Sequence, residues 1–220
     1  MDKKSLGFNV AQKYDYENGF YLTSNINRIG KIVAHYELYK SIVNPPGHIV
    51  ECGVYKGASL IRFTTFREIL ENAYSRKVIG FDIFGKFPQN NERDQGFIKK
   101  FEKAGGDGIS IDELEAVFAY KSFKNYELVK GNISETVPNY LNDNPELKIA
   151  LLHIDVDVYQ PSMVALEHFY DRVVRDGLIV FDDFGTVEGE TKAIDDFFGK
   201  LDVTIEKLSV SPTPAYIRKK

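Results

Sequence analysis

Apolar residues recur at helical spacing through residues 24–43. Ile26, Ile29, Ile32 or Val33, Tyr36 and Tyr39 fall on one face, and the pattern stops at Asn44-Pro45-Pro46-Gly47. The period then changes. Ile49-Val50-Glu51-Cys52 predicts a short strand, residues 53–57 a turn bearing two glycines, and Ser59–Ala73 a helix. Lys77–Ile83 predicts a second strand and Tyr126–Lys130 a third. Ile149–Ile154 is apolar at every position but His153, which suits a strand covered on both faces. Pro161–Arg175 predicts a helix ending at Gly177, followed by a fifth strand over Leu178–Phe181 and a helix over Glu190–Leu201. Val203–Leu208 and Ala215–Arg218 predict a final antiparallel pair. Strands alternating with helices predict an α/β fold: a doubly wound, mostly parallel seven-stranded sheet with an antiparallel C-terminal edge.

Two stretches stand apart from this alternation. Residues 5–22 are rich in Tyr and Phe without a clean period and predict an arm, which with the following helix makes up residues 1–47. Residues 84–125 are polar and glycine-bearing, and within them Ser110–Ala119 predicts a short helix with Ser110 as cap and Glu113 as its capping-box partner. An insertion of this size predicts a lid. No repeat or linker divides the chain, so residues 1–220 are expected to form one domain.

Composition narrows the partners more than the fold. The formal charge of −4 argues against nucleic acid, and no apolar run approaches the ~20 residues that span a bilayer. No apolar segment follows Met1-Asp2-Lys3-Lys4-Ser5, so a cytoplasmic location is expected. Cys52 is the sole cysteine, which leaves no internal disulfide and no cysteine-rich zinc site. Cys52 and His35 read as structural residues, and His153 as a hydrogen-bonded core histidine.

In doubly wound sheets ligands bind beyond the carboxyl ends of the strands. At the first such end, Glu51-Cys52-Gly53-Val54-Tyr55-Lys56-Gly57-Ala58-Ser59 leaves a strand and opens a helix. Tyr55 breaks the G-x-G-x-x-G dinucleotide fingerprint, and no phosphate-binding P-loop is present. At the second, Asp82 stands where a carboxylate accepts the hydroxyls of a ribose; a helix N-cap or turn residue is the alternative reading. Together the two ends favour a nucleoside ligand without a pyrophosphate. At the fourth and fifth ends lie Asp155-Val156-Asp157-Val158-Tyr159 and Asp182-Asp183-Phe184-Gly185. Each of these carboxylates alone suits a helix cap or a solvated turn, and Tyr159 either lines a site or packs. Converging at neighbouring strand ends, Asp155, Asp182 and Asp183 repel one another unless a cation neutralises them. Oxygen-only ligands select a hard divalent ion, Mg²⁺ first.

These segments resemble the macrocin O-methyltransferase family, class I enzymes dependent on S-adenosylmethionine and a divalent metal that methylate sugar hydroxyls. The resemblance runs over about residues 24–220 and is carried by residues 46–57, Gly80-Phe81-Asp82, Val129-Lys130-Gly131-Asn132, Asp155-Val156-Asp157-Val158-Tyr159, Asp182-Asp183-Phe184-Gly185 and Thr191-Lys192-Ala193-Ile194-Asp195-Asp196-Phe197. It implies metal binding by Asp155, Asp182 and Asp183, with Asp155 also the catalytic base. It implies a cofactor-binding set of Glu51, Gly53, Tyr55, Gly57, Ser59, Asp82, Asn132 and Asp155. The acceptor is expected to be a small-molecule hydroxyl, a sugar or glycoside, with a catechol as an alternative two-oxygen metal ligand; a homo-oligomer is compatible with the sequence. The lid region and the aromatic arm are expected to close over the reactants and exclude water. The chain departs from the family at Tyr55-Lys56-Gly57-Ala58 in place of Trp-Arg-Gly-Gly, at Val156 in place of Gly, at Gln160-Pro161-Ser162 in place of Glu-Ser-Thr, and at Asp176-Gly177 in place of a double glycine. Two other classes remain open at this point: a nucleotide-dependent oxidoreductase and a non-catalytic binding protein on the same fold.

Overall fold

The continuously apolar segments form the middle of the sheet in the computed structural model, which describes residues 4–5, 8–86, 96, 103 and 105–220. The sheet strands are β1 (His48–Cys52), β2 (Val78–Asp82), β3 (Tyr126–Lys130), β4 (Ile149–Ile154), β5 (Val173–Phe181), β6 (Glu206–Lys207) and β7 (Ala215–Arg218). Their order is β3-β2-β1-β4-β5-β7-β6, parallel from β3 to β5 and antiparallel at β7 and β6. β4 is buried at all its positions, as its composition requires.

Helices cover both faces. On one side α2 (Ile26–Lys40), α3 (Ala58–Leu70) and α4 (Ile111–Tyr120) bury Leu38, Tyr39, Leu60, Phe63, Leu114 and Phe118 against Ile49, Val78, Leu151 and Val180. On the other, α5 (Ile133–Asp143), α6 (Tyr159–Phe169) and α7 (Glu188–Phe198) bury Val137, Tyr140, Phe169 and Phe198 against Val50, Phe81, Leu152 and Phe181. Before α2 come a two-stranded hairpin, Lys4–Ser5 with Phe8–Asn9, and α1 (Lys13–Thr23), which buries none of its residues.

Three elements differ from the pattern. The helix expected over Pro161–Arg175 ends at Phe169, and a 3-10 turn over Tyr170–Arg172 leads directly into β5. The adjacent β-branched pair Val173-Val174 favours extended backbone, and Val173 pairs with Ile149. Asp176 lies inside that strand, where the pairing with β4 shifts register, at φ +64, the left-handed conformation that a glycine holds without strain. α5 has no counterpart in the sequence reading, because Pro138 lies inside it and reads as a helix breaker. The capping box of Ser110 and Glu113 is formed as expected. Of the expected lid, residues 87–95, 97–102 and 104 lie outside the described residues; the rest includes α4, whose Leu114 and Phe118 belong to the core.

Candidate active site

The strand order reverses between β1 and β4, and the two chain segments leaving these strands touch there. Gly53 lies at φ +88, and a Cβ on it would stand 1.8 Å from the Asp155 carbonyl oxygen. Glycine at this position therefore lets β4 deliver Asp155 directly beside the β1 turn, with the Asp155 amide donating to Cys52 O at 2.8 Å. The turn continues through Tyr55, itself at φ +49, to Gly57 at φ +81, which begins α3 without a side-chain cap. Ser59 follows in the first turn of that helix.

Asp82 organises the turn. One of its carboxylate oxygens accepts from Val54 N at 2.7 Å and Tyr55 N at 3.0 Å, and the other from Phe84 N at 2.6 Å. The side chain remains half-buried, and a carboxylate with three N–H partners keeps lone pairs for further donors. Tyr55 turns its hydroxyl to Gly105 O at 2.5 Å, and its carbonyl accepts from Ile109 N at 2.7 Å, so the segment returning from the polar region lies against this turn. Asn132 caps α5, its side chain accepting from Ser134 N at 3.0 Å.

At the ends of β4 and β5, Asp155, Asp182 and Asp183 each present an oxygen, all within 4.8 Å of one another. These strands are hydrogen-bonded neighbours, with Ile154 opposite Phe181. Three hard oxygen donors this close suit a divalent cation of the Mg²⁺ type by their chemistry. Burial and the charge of Asp182 push the Asp155 carboxyl well above its ordinary range. Asp157, expected as a solvated turn residue, lies at φ +65 and shares a hydrogen bond with Asp183; burial and the Asp183 charge raise it to about 7. Glu190 of α7 is fully buried, accepts from Asp183 N at 3.0 Å through one oxygen, and its other oxygen has no partner among the described residues.

Beneath the carboxylates runs a buried polar network. Glu51 and His153 are both 0% exposed. His153 Nδ1 lies 2.9 Å from Glu51 Oε1 and its Nε2 3.3 Å from Asp182 Oδ1. Burial opposes the imidazolium, but hydrogen bonds to Asp182 and Glu51 outweigh it and lift His153 to about 10. Both ring nitrogens of His153 are then donors. Glu51, expected to bind cofactor, directs one oxygen into this network, and its Oε2 has no partner among the described residues.

From the helical side, α2 contributes Lys31 and His35, spaced to share one face of the helix. The Lys31 ammonium rests on Asp182 Oδ2, and His35 Nε2 lies 3.6 Å from Asp182 Oδ1. Arg62 of α3 reaches His35 Nδ1 at 3.0 Å. Arginine only donates, so this nitrogen accepts and the ring proton sits on Nε2, facing Asp182. Burial lowers His35 to about 3 and keeps it neutral beside a charged His153. Burial would raise Asp182 as well, yet His153, His35 and Lys31 hold it well below the carboxylate range. His153 thus hydrogen-bonds Asp182 while the neutral His35 ring stands 3.6 Å from the same oxygen, and with Lys31 they keep Asp182 ionised.

The sequence assigned none of the roles of Lys31, Arg62 and Glu190, and treated His35 as structural. One signal was available: Lys31 and His35 continue the stripe of Leu38 and Ile42, so polar residues sit on the apolar face of α2.

A sheet ordered in this way, with an acid at the end of β2 and a glycine turn at the end of β1, is the fold of the class I S-adenosylmethionine-dependent methyltransferases. Two solved structures share it. CalS11, a calicheamicin methyltransferase, superposes with a TM-score of 0.73 at 27% identity, covering 94% of this chain and 85% of that one. The O-methyltransferase NovP superposes with a TM-score of 0.76 at 19% identity, covering 87% and 80%. The chain belongs to the macrocin O-methyltransferase (TylF) family, whose profile matches residues 34–219. Among curated relatives, the demethyldecarbamoylnovobiocin O-methyltransferase of Streptomyces niveus is 25% identical over 185 residues, 79% of this chain. The chain spans 66% of that relative's length, and 60% and 56% of two others. Among the described residues no helix is long and apolar enough to cross a membrane.

Proposed function

We propose that the chain transfers a methyl group from S-adenosylmethionine to a hydroxyl oxygen of a sugar or glycosylated small molecule, assisted by a divalent cation, Mg²⁺ first. The observation that carries this is the convergence of Asp155, Asp182 and Asp183 within 4.8 Å, beside the turn that Gly53 and Asp82 shape. The family assignment supports it, as do the names of two similar proteins, a rhamnosyl-tetracenomycin-C 4'-O-methyltransferase and CalS11, described as a TDP-rhamnose 3'-O-methyltransferase.

Asp155, Asp182 and Asp183 would hold the cation, which would supply Lewis acidity towards the acceptor hydroxyl. S-adenosylmethionine supplies the methyl on a sulfonium; displacement breaks the C–S bond, forms a C–O bond and leaves S-adenosylhomocysteine. Asp82 and the 53–59 turn bind the nucleoside and methionine parts of the donor, and Glu51 and Asn132 complete that set. Asp155 receives the proton that the acceptor oxygen gives up, since it stands at the crossing of the two halves of the site. Asp182 stays ionised because His153, His35 and Lys31 surround it. Alignment of the acceptor with the donor is the main contribution of such a site.

The test is a methyl-transfer screen of nucleotide-sugars and glycosides, read by mass, with Mg²⁺ and with chelator. Transfer that requires the cation is expected. Full activity after exhaustive chelation overturns the metal role. No product, together with no thermal shift on adding S-adenosylmethionine, overturns the enzyme and leaves a binding protein.

A further inference from the structure

A charge to which the sequence reading gave no role lies on the proposed cation site. Lys31 belongs to the first half of α2 and precedes residue 34, where the family profile begins to match. Its side chain is only 21% exposed, and its ammonium contacts Asp182 Oδ2. The charges of Asp182, Asp155 and Asp183 all attract that ammonium. The same three carboxylates are the ones that would hold the metal.

The other oxygen of Asp182 is engaged as well. His153 Nε2 stands 3.3 Å from Oδ1 and His35 Nε2 3.6 Å from it. Both of those rings are fully buried, and His35 is further fixed by Arg62 and by stacking on Phe63 at 5.0 Å. The rings cannot withdraw without dismantling the core. Lys31 differs. It ends a flexible four-carbon stem at the rim of the site, and only it among these three partners can leave Asp182 by rotating its own side chain.

We propose that Lys31 is a built-in competitor for the divalent cation. Its ammonium neutralises Asp182 in the metal-free protein and must give up Oδ2 when the cation takes the three carboxylates. The residue thereby sets the cation concentration at which the site fills, and places a positive charge beside the carboxylates of the metal-free fold. The inference rests on the metal reading above and adds its regulation. A cation that enters must also bear the repulsion of the displaced ammonium nearby, a cost that corresponds to roughly tenfold or more in affinity.

The test is Mn²⁺ binding to the chelator-treated full chain, followed by the loss of the free-ion paramagnetic resonance signal and by calorimetry. Lys31→Met and Lys31→Gln are expected to bind Mn²⁺ about tenfold more tightly than the wild type, or more. Lys31→Arg, which keeps the charge, is expected to stay within about threefold. Two neutral variants guard against one failing to fold, which circular dichroism checks. Unchanged or weaker binding in the folded neutral variants, with Mn²⁺ bound by the wild type, overturns the competitor role and leaves the metal site standing. Absence of Mn²⁺ binding in every form, or binding that survives Asp183→Asn, overturns the metal site and the proposal with it.

Discussion

Replacing His153 by Leu removes the imidazole that joins Glu51 to Asp182. Glu51 is 0% exposed, its Oε1 bonds to His153 Nδ1 at 2.9 Å, and its Oε2 lacks a partner among the described residues. His153→Leu therefore leaves a buried carboxylate with neither oxygen satisfied, whereas Asp182 keeps Lys31. Breaking a buried ion pair from one side costs about 3–5 kcal/mol. At about 2–4 °C per kcal/mol for a chain of this size, the melting temperature is expected to fall by roughly 6–20 °C. The pair Glu51→Met with His153→Leu removes both charges and fills similar volume, so it is expected to lie within about 1–2 kcal/mol of the wild type. Urea and thermal denaturation of the two single variants and the pair, in chelator, give the coupling, expected to exceed about 2 kcal/mol. A cost near 1 kcal/mol for His153→Leu, or a pair whose effect is the sum of the singles, refutes the account of a mutually dependent buried pair.

The same network makes stability depend on pH in two directions. His153 holds its proton to about 10 when folded against 6.5 when unfolded, so its contribution is complete below pH 6.5 and is lost as pH rises towards 10. His35 is held at about 3, so its contribution is complete above pH 6.5 and is lost as pH falls towards 3. The alkaline loss is expected to vanish in the Glu51→Met/His153→Leu pair; denaturation curves at pH 6.5–9 that match the wild type's contradict this. Asp82→Ala withdraws an acceptor from Val54, Tyr55 and Phe84 amides and a ribose partner, so calorimetry is expected to show S-adenosylhomocysteine affinity reduced by roughly tenfold or more. Unchanged affinity removes its ribose role. Gly53→Ala sets a methyl 1.8 Å from backbone oxygen at φ +88, and a loss of about 3 kcal/mol or more is expected; a melting temperature equal to the wild type's rules out the close approach.

Composition and local pattern decided most of the scaffold. The apolar run of Ile149–Ile154, the capping box at Ser110 and the strand over Tyr126–Lys130 are local signals, and each sits where its residues direct it. So are the acids at strand ends, because a strand's last residue and its exit follow from a few neighbours in sequence. Where local signals conflict, the pattern misleads: Pro138 hides α5, and Gly177 draws a helix past Val173 although packing against Ile149 makes that residue part of a strand.

What decided the state of the acids lies elsewhere in the chain. Lys31 and Asp182 are 151 residues apart, and Glu51 and His153 are 102 apart. A lysine and a histidine on a helix carry no local mark of the carboxylate they will meet. The sequence by itself determined that Asp155, Asp182 and Asp183 stand at the ends of two strands, since alternation and turn chemistry act over a few residues. Only the tertiary structure, by packing α2 across those ends and β1 against β4, decided which of them is ionised, which cation holds it, and how close the glycine turn brings the donor side of the site. Electrostatics and desolvation depend on distance in space, and spacing along the chain does not encode it.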